Sequence, residues 1–309
     1  MLTKNEAIKT KLIHYSMMGI FTTEQLNYLK DCLLYAPDFS LEEILFMEQG
    51  RRMKNALSLL ERVRILEKTQ DTSTIMEQYQ KRNVHVVTIL DEEYPPSLKE
   101  IYQPPVVLYY QGDWRLTRRR RLGIVGSRNV TEYGKQVLAK LLPPLIKEHI
   151  TTVSGLAAGI DQEVHTKTMG LEGNTIAIIG TGIDRYYPRP NQGLQEKIGK
   201  EQLLISEYPL GTPPKKHHFP MRNRLIAGLS HGVLVVEAKQ RSGSLITANV
   251  ALQENREVFA VPGNILHPAY QGTNELIRSG AKLVLSEEDI FEELQALWLL
   301  KNNKNKINI

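Results

Sequence analysis

An α/β fold, built on a doubly wound and mainly parallel sheet behind a small all-α module, is predicted by three features of this 309-residue chain. The first eighty or so residues carry helical periodicity alone. From about Lys81 short β-branched runs alternate with helical patterns, which in one sheet calls for right-handed crossovers between parallel strands. Four of those runs end in glycine-rich turns.

The expected organisation is a helical domain over 1–80, an α/β domain over 81–300 and a polar tail over 301–309 that frays. In the helical part, Thr22–Gln25 (TTEQ) and Ser40–Glu43 (SLEE) read as capping boxes, in which two side chains each satisfy an orphan backbone N–H. Leu26, Leu29 and Leu33 share one helical face, and Leu57, Leu60, Val63 and Leu66 share another. No catalytic residue stands out there, so a structural cap or an interaction module is the expectation. Strands are predicted at 84–90, 106–110, 122–125, 151–154, 175–179, 203–206, 233–237, 258–261 and 283–285. The first two read as an extension ahead of the main Rossmann-like unit.

Composition narrows the class. Apolar residues make up 41% of the chain and charged residues 24%, enough for a core and too balanced for disorder. The single cysteine, Cys32, excludes a disulfide within the chain and a cysteine-based zinc site, and it suits a reducing compartment. Lysines interrupt the N-terminal apolar residues, so no signal peptide is expected, and no apolar run reaches the length of a membrane span. A cytoplasmic protein is the expectation.

The net charge of +5 says little; its placement says more. The window from Tyr208 to Val236 contains no acid, and inside it Gly211–Arg224 reads GTPPKKHHFPMRNR. Lys215, Lys216, Arg222 and Arg224 crowd around one aromatic, Phe219, with Pro213, Pro214 and Pro220 stiffening what reads as an irregular loop. Cations track phosphates and an aromatic ring gives an unstacked base a surface, the chemistry of a single-stranded nucleic-acid groove.

The glycine turns add backbone donors. They are Gly126-Ser127-Arg128, Gly155 to Asp161, Gly180-Thr181-Gly182 and Ser242-Gly243-Ser244. In a parallel sheet all four fall on the carboxyl rim, where open α/β sheets bind ligands. Glycine lets amides approach an anion, and Arg128 offers a bidentate phosphate fork. Any one such turn is as well explained by tight βα geometry. None has the spacing of a dinucleotide fingerprint or a P-loop.

Other clusters have plainer readings. Arg118–Arg121 reads as a solvated linker, or as an extension of an electrostatic path. Arg189, after Tyr186-Tyr187-Pro188, is a candidate phosphate contact. His217 and His218 lack a third ligand at regular spacing, so no metal is expected. Asp161 and His165, at i and i+4, suggest a helix-face hydrogen bond rather than an acid–base pair. Glu237 with Ser244 lacks a nucleophile elbow. No catalytic residue and no cofactor is expected.

Several motifs then occur in a known order: GIVGSRNVTEYG, VSGLAAGIDQEVH, IAIIGTGIDRYYPRPN, SEYPLGTPPKKHHFPMRNRLIAGLS, VVEAKQRSGSLITA and VFAVPGN. Over residues 85–285 the chain resembles the DNA-processing protein A (DprA/Smf) family. That resemblance implies an extended Rossmann fold and a homodimeric, non-enzymatic bacterial protein of natural transformation. Such a protein binds and protects incoming single-stranded DNA and loads the RecA recombinase onto it. By motif, the family's phosphate-binding turn falls on Gly126, Ser127 and Arg128. Its basic segment falls on Lys216, Phe219, Pro220, Arg222, Asn223 and Arg224, and its basic position after tyrosine-proline falls on Arg189. Apart from Pro220, these residues with Gly155, Lys215, Gly243 and Ser244 make up the expected DNA site. The helical start is similar to the sterile-alpha-motif-like domain of some members. The winged helix that others carry is not expected here. A dimer surface is expected within Ile265–Ile277, on Ile265, Leu266, His267, Leu276 and Ile277. The alternatives are a Rossmann-type hydrolase acting on a nucleoside monophosphate, with Glu237 or Glu207 near the ribose, and a scaffold that binds only proteins.

Overall fold

A computed structural model describes residues 3–47, 56–69, 72–295 and 298. The chain divides into two compact units. One comprises Met1–Gln111, Thr181–Arg185 and Ile205–Pro214; the other comprises Gly112–Gly180, Tyr186–Leu204 and Lys215–Ile309.

The smaller unit begins with helices α1 (Lys4–Met17), α2 (Thr23–Tyr35), α3 (Leu41–Phe46), α4 (Ala56–Thr69) and α5 (Thr72–Lys81). Both predicted capping boxes form, at Thr22/Gln25 and Ser40/Glu43, and Thr3/Glu6 makes a third. Leu26, Leu29 and Leu33 are buried as their spacing predicts. On α4 the buried face is Leu59, Leu60 and Val63, while Leu57 is 72% exposed. Strand β1 (His85–Thr88), the short helix α6 (Pro96–Lys99) and strand β2 (Val107–Gly112) follow, with β1 antiparallel to β2. The two excursions are tied into this unit by polar contacts: Gly182 N–H donates to Thr212 O (3.0 Å), Gly211 N–H to Asp184 Oδ1 (2.7 Å) and Leu210 N–H to Tyr79 Oη (3.0 Å).

The larger unit alternates strand and helix: β3 (Arg121–Val125), α7 (Glu132–Lys147), β4 (Thr151–Ser154), α8 (Ile160–Gly170), β5 (Thr175–Ile179) and α9 (Gln192–Glu201). The division between units falls inside β6 (Leu203–Ser206). Then come α10 (His218–Leu229), β7 (Gly232–Val235), α11 (Gly243–Gln253), β8 (Glu257–Ala260), α12 (Gln271–Arg278) and β9 (Lys282–Leu283). Strands β5-β4-β3-β7-β8-β9 lie side by side in that order, and the registered pairs are parallel. Strand order reverses at β3, whose neighbours are β4 and β7, so the crevice of a doubly wound sheet opens where β3 ends. β3, β4, β5 and β7 are buried along their whole length. Leu122 and Ile124 of β3 pack with Leu138, Leu141 and Leu145 of α7, Ile160 of α8, Leu234 and Phe259.

The nine strands predicted from sequence are all present, with ends shifted by at most two residues, and the sheet is mainly parallel as expected. One expectation is corrected. Residues 218–224 are the first two turns of α10, not irregular loop. Pro220 is the third residue of that helix, where a backbone N–H has no intrahelical acceptor to lose. The tail at 301–309 lies outside the described residues. No helix among the described residues is long and apolar enough to cross a membrane.

Candidate nucleic-acid interface

A cleft of about 640 Å³ opens at the carboxyl end of β3, within the larger unit. Its floor begins where β3 runs into Gly126. A Cβ there would meet Ile160 Cγ1 at 2.6 Å, so only glycine lets the strand exit rest on the start of α8. The turn is fixed from both sides. Ile160 N–H donates to Ser127 O (3.0 Å), and Ser127 Oγ accepts from Asn129 N–H (3.1 Å). Gly159 reaches φ +78°, and a Cβ there would collide with the carbonyl of Ser127.

Arg128 leaves this rigid turn with an exposed side chain, and its guanidinium lies 5.8 Å from the centre of the Phe219 ring. Phe219, in the first turn of α10, is half-buried; Tyr187 lies beside it with ring centres 5.2 Å apart and planes at 37°. Two rings and a guanidinium thus share one wall. Lys216 and Lys239, both exposed, line the cleft as well. The opposite side is the start of α11. There Ser242 Oγ and Ser244 Oγ are 2.7 Å apart, and the Ser242 side chain does not cap the backbone amides of α11. Asn223 Nδ2 donates to Gly243 O (3.2 Å), which joins α10 to α11.

Beneath these groups lies a buried charge pair. Arg222 donates to the carbonyls of Gly155 and Ile178, at the ends of β4 and β5, and to Asn223 Oδ1 (3.1 Å). Asp161 accepts from the amides of Gly155 (3.2 Å) and Ala157 (3.4 Å). Burial raises the pKa of Asp161, while the Arg222 charge and the amide bonds pull it back down. Asp161 is the one acid among the lining residues, and Arg222 answers its charge; Arg128, Lys216 and Lys239 therefore leave the cleft cationic.

Of the residues expected at the DNA site, Gly126, Ser127, Arg128, Lys216, Phe219, Arg222, Asn223, Gly243 and Ser244 line this cleft. Four do not. Gly155 is buried behind Arg222, whose guanidinium occupies the space a Cβ would need. Arg224 is buried in α10. Lys215 is exposed at the loop before α10, and Arg189 is exposed at the head of the 3-10 turn Arg189–Asn191. The Gly180–Gly182 turn also stands outside the lining: Gly180 O meets the His218 ring nitrogen at 3.1 Å, and Gly182 packs against Pro209 O. There the glycines serve tight packing.

Lys239, Asn129 and Tyr187 were not foreseen as site residues. Lys239 sits two positions beyond Glu237, just outside the acid-free window, and its place past the end of β7 was the available signal.

The carboxylates proposed for a hydrolase are engaged elsewhere. Glu237 is fully buried and accepts from Thr131 N–H (2.9 Å) and Thr131 Oγ1 (2.6 Å), bracing the N-cap of α7. Glu207 accepts from Thr23 Oγ1 (2.8 Å) in the smaller unit. The expected Asp161–His165 bond is corrected: the His165 Nδ1 partner is Thr175 Oγ1 (2.7 Å), and Asp161 bonds to backbone. Burial, helped by the Arg222 charge, lowers the His165 pKa to about 3, so the ring stays neutral near pH 7. His217 and His218 stack edge to face at 4.6 Å, and among the described residues no three His, Cys, Asp or Glu side chains are grouped to hold a metal.

In the segment expected for self-association, Ile265 and Leu266 are 78% and 85% exposed and His267 is exposed, its ring nitrogen accepting from Ala269 N–H (3.2 Å). Leu276 is buried and Ile277 half-buried.

A family model for DNA recombination-mediator protein A matches residues 85–295. The chain is 47% identical over 221 residues to the DNA processing protein DprA of Bacillus subtilis, an alignment covering 71% of this chain and 74% of that relative. The X-ray structure of DNA processing protein A from Streptococcus pneumoniae superposes with a TM-score of 0.81 at 39% identity, covering 94% of this chain and 98% of that one. A solved structure of DNA processing protein A from Helicobacter pylori, described for its single-stranded DNA binding mode, superposes with a TM-score of 0.62 at 30% identity, covering 69% and 96% of the two chains.

Proposed function

Because this chain belongs to the DNA recombination-mediator protein A family, we propose that its cleft grips single-stranded DNA, and that it serves as a recombination mediator through that grip. The observation that carries this reading is the half-buried Phe219 ring beside Arg128, in one cationic cleft that Lys216 also lines. Phosphates take the guanidinium of Arg128, the ammonium groups of Lys216 and Lys239 and the amides at the start of α11; an unstacked base lies on Phe219. A duplex hides its bases in the stack and gains only the phosphate contacts, and the ring discriminates little among bases, so sequence preference is slight. The solved H. pylori relative described for single-stranded DNA binding supports the assignment of ligand. Protection of incoming DNA, loading of RecA and a place in natural transformation in the cytoplasm extend the same reading, with no reaction catalysed. Support for the hydrolase alternative is weak, since Glu237 and Glu207 are held by threonines.

The test is a titration of labelled oligo-dT of graded length, with a matched duplex as comparator and with nucleoside monophosphates assayed for base release. Tight oligo-dT binding with no base release is the expected outcome; indifference to oligo-dT at low salt sinks the assignment. In the same assay Arg128→Ala is expected to lower the slope of log affinity against log salt by about 0.7, the value for one single-strand phosphate contact. An unaltered slope removes Arg128 from the site.

Self-association through Ile265 and Leu266 gives two clefts on one assembly and holds a longer strand by avidity. The exposure of two adjacent large apolar side chains supports it. Sedimentation velocity at low concentration is expected to show a dimer that Ile265→Glu with Leu266→Glu dissociates; a wild-type monomer ends the idea.

A further inference from the structure

The arginine run Arg118–Arg121 stands at the far end of β3 from the cleft, and its four members have different fates. Arg121 is buried, and its guanidinium donates to the carbonyls of Leu229 (2.6 Å), Arg119 (2.6 Å) and Thr117. It closes the fold. Arg118, Arg119 and Arg120 are exposed, and among the described residues none forms an ion pair with a carboxylate. The acid beside them, Asp113, is held by Arg115 at 2.8 Å, though the Arg119 charge also helps to depress its pKa. Arg120 lies over the Trp298 ring at 4.3 Å, which leaves its planar guanidinium on an aromatic support. The sequence beyond Trp298 adds Lys301, Lys304 and Lys306 with no acid. A purely solvated linker does not require three adjacent exposed arginines that make no ion pair among the described residues, one of them seated on an indole.

We propose that Arg118, Arg119 and Arg120 form a second nucleic-acid contact, which takes the phosphodiester backbone on the amino rim of the sheet, independently of the cleft. Guanidinium forks match phosphate bidentately, and three of them in succession suit a run of phosphodiesters better than a single anion. The strand β3 alone spans roughly 13 Å between the two surfaces at about 3.3 Å per residue. The ligand is therefore either a distant stretch of the strand already in the cleft or a second strand. Contacts here are to phosphates only, so this surface adds affinity without base preference.

The chain carries its own reporter. Its two tryptophans, Trp114 and Trp298, both belong to this neighbourhood: Trp114 opens the 3-10 turn Trp114–Arg118, and Trp298 supports Arg120. Neither lines the cleft. Oligo-dT is expected to change tryptophan emission even in a Lys216→Ala, Phe219→Ala variant whose cleft is disabled. Arg118→Gln with Arg119→Gln leaves Arg120 on Trp298 and Arg121 on its carbonyls, so the fold is kept, as circular dichroism will check. That variant is expected to keep the affinity of its cleft for one short oligo-dT. With a long oligo-dT its salt slope falls by about 1.4, for two lost phosphate contacts. Two short strands bound per wild-type protomer identify a second strand; one long strand engaging both surfaces identifies a continuous path. A silent tryptophan signal in the cleft-disabled variant, or an unchanged slope in the arginine variant, overturns the proposal. So does a tryptophan response to polyglutamate without one to oligo-dT. Failure of the cleft assignment reads differently: short oligo-dT would bind the cleft-disabled variant as well as wild type.

Discussion

Replacing Phe219 with alanine is expected to weaken oligo-dT binding by about 1–3 kcal/mol, the range for a base–aromatic contact, or roughly 5- to 150-fold in affinity. The ring is half-buried and its neighbours are Tyr187, Arg128 and Gly180, so the substitution takes a stacking surface from the cleft and little from the core. Alanine is the best helix former, and α10 gains propensity at that position. Phe219→Tyr keeps the ring and is expected to bind within a few-fold of wild type, and Tyr187→Ala is expected to cost less than Phe219→Ala. Binding is read by fluorescence anisotropy and folding by thermal melting. Wild-type affinity in Phe219→Ala, with an unchanged melt, would falsify stacking on this ring.

Arg222→Ala is expected to cost about 2–5 kcal/mol of stability, since two buried carbonyls lose their donor at about 1–3 kcal/mol each. Arg222 is 5% exposed and bridges the ends of β4 and β5 through two carbonyls. Without it those carbonyls lose their donor, and the buried Asp161 carboxylate keeps its amide bonds but loses the nearby positive charge. The sign of the pH dependence follows. Asp161 already has a raised pKa in the fold, and losing Arg222 raises it further. A raised acid pKa contributes stability below the unfolded value and loses it as pH climbs through the folded one. The deficit of the variant is therefore larger at neutral pH than at pH 4. Urea denaturation at the two pH values measures it; equal deficits would break the link between Arg222 and Asp161.

Much of the sheet was legible because β3, β4, β5 and β7 are buried on both faces, and such strands are written as unbroken apolar or β-branched runs closed by glycine. The cleft was legible in part. Arg128, Lys216 and Phe219 are side chains that turn outward from a rim, and their residue types announced their chemistry. Arg222 and Arg224 carried the same letters but lie two apart in a helix that is buried on more than one side, so both are covered; three prolines suggest a loop, and the helical phase is hidden with it. Lys239 was missed because Glu237 ends the acid-free window, and nothing in the linear order shows that this carboxylate is consumed by Thr131 in the core. Likewise Leu276 reads as surface beside Ile265 and Leu266, yet α12 buries it.

The seating of Gly126 on Ile160 reaches beyond the cleft itself. Ile160 belongs to the packed core under α7, so the loop that presents Arg128 is braced by the same atoms that resist unfolding. Grip and durability are then not separately adjustable in this molecule. A core change that lets α8 drift by a few tenths of an ångström moves the guanidinium on its lever arm. Variants selected only for heat resistance would be screened, unawares, for how firmly they hold a strand.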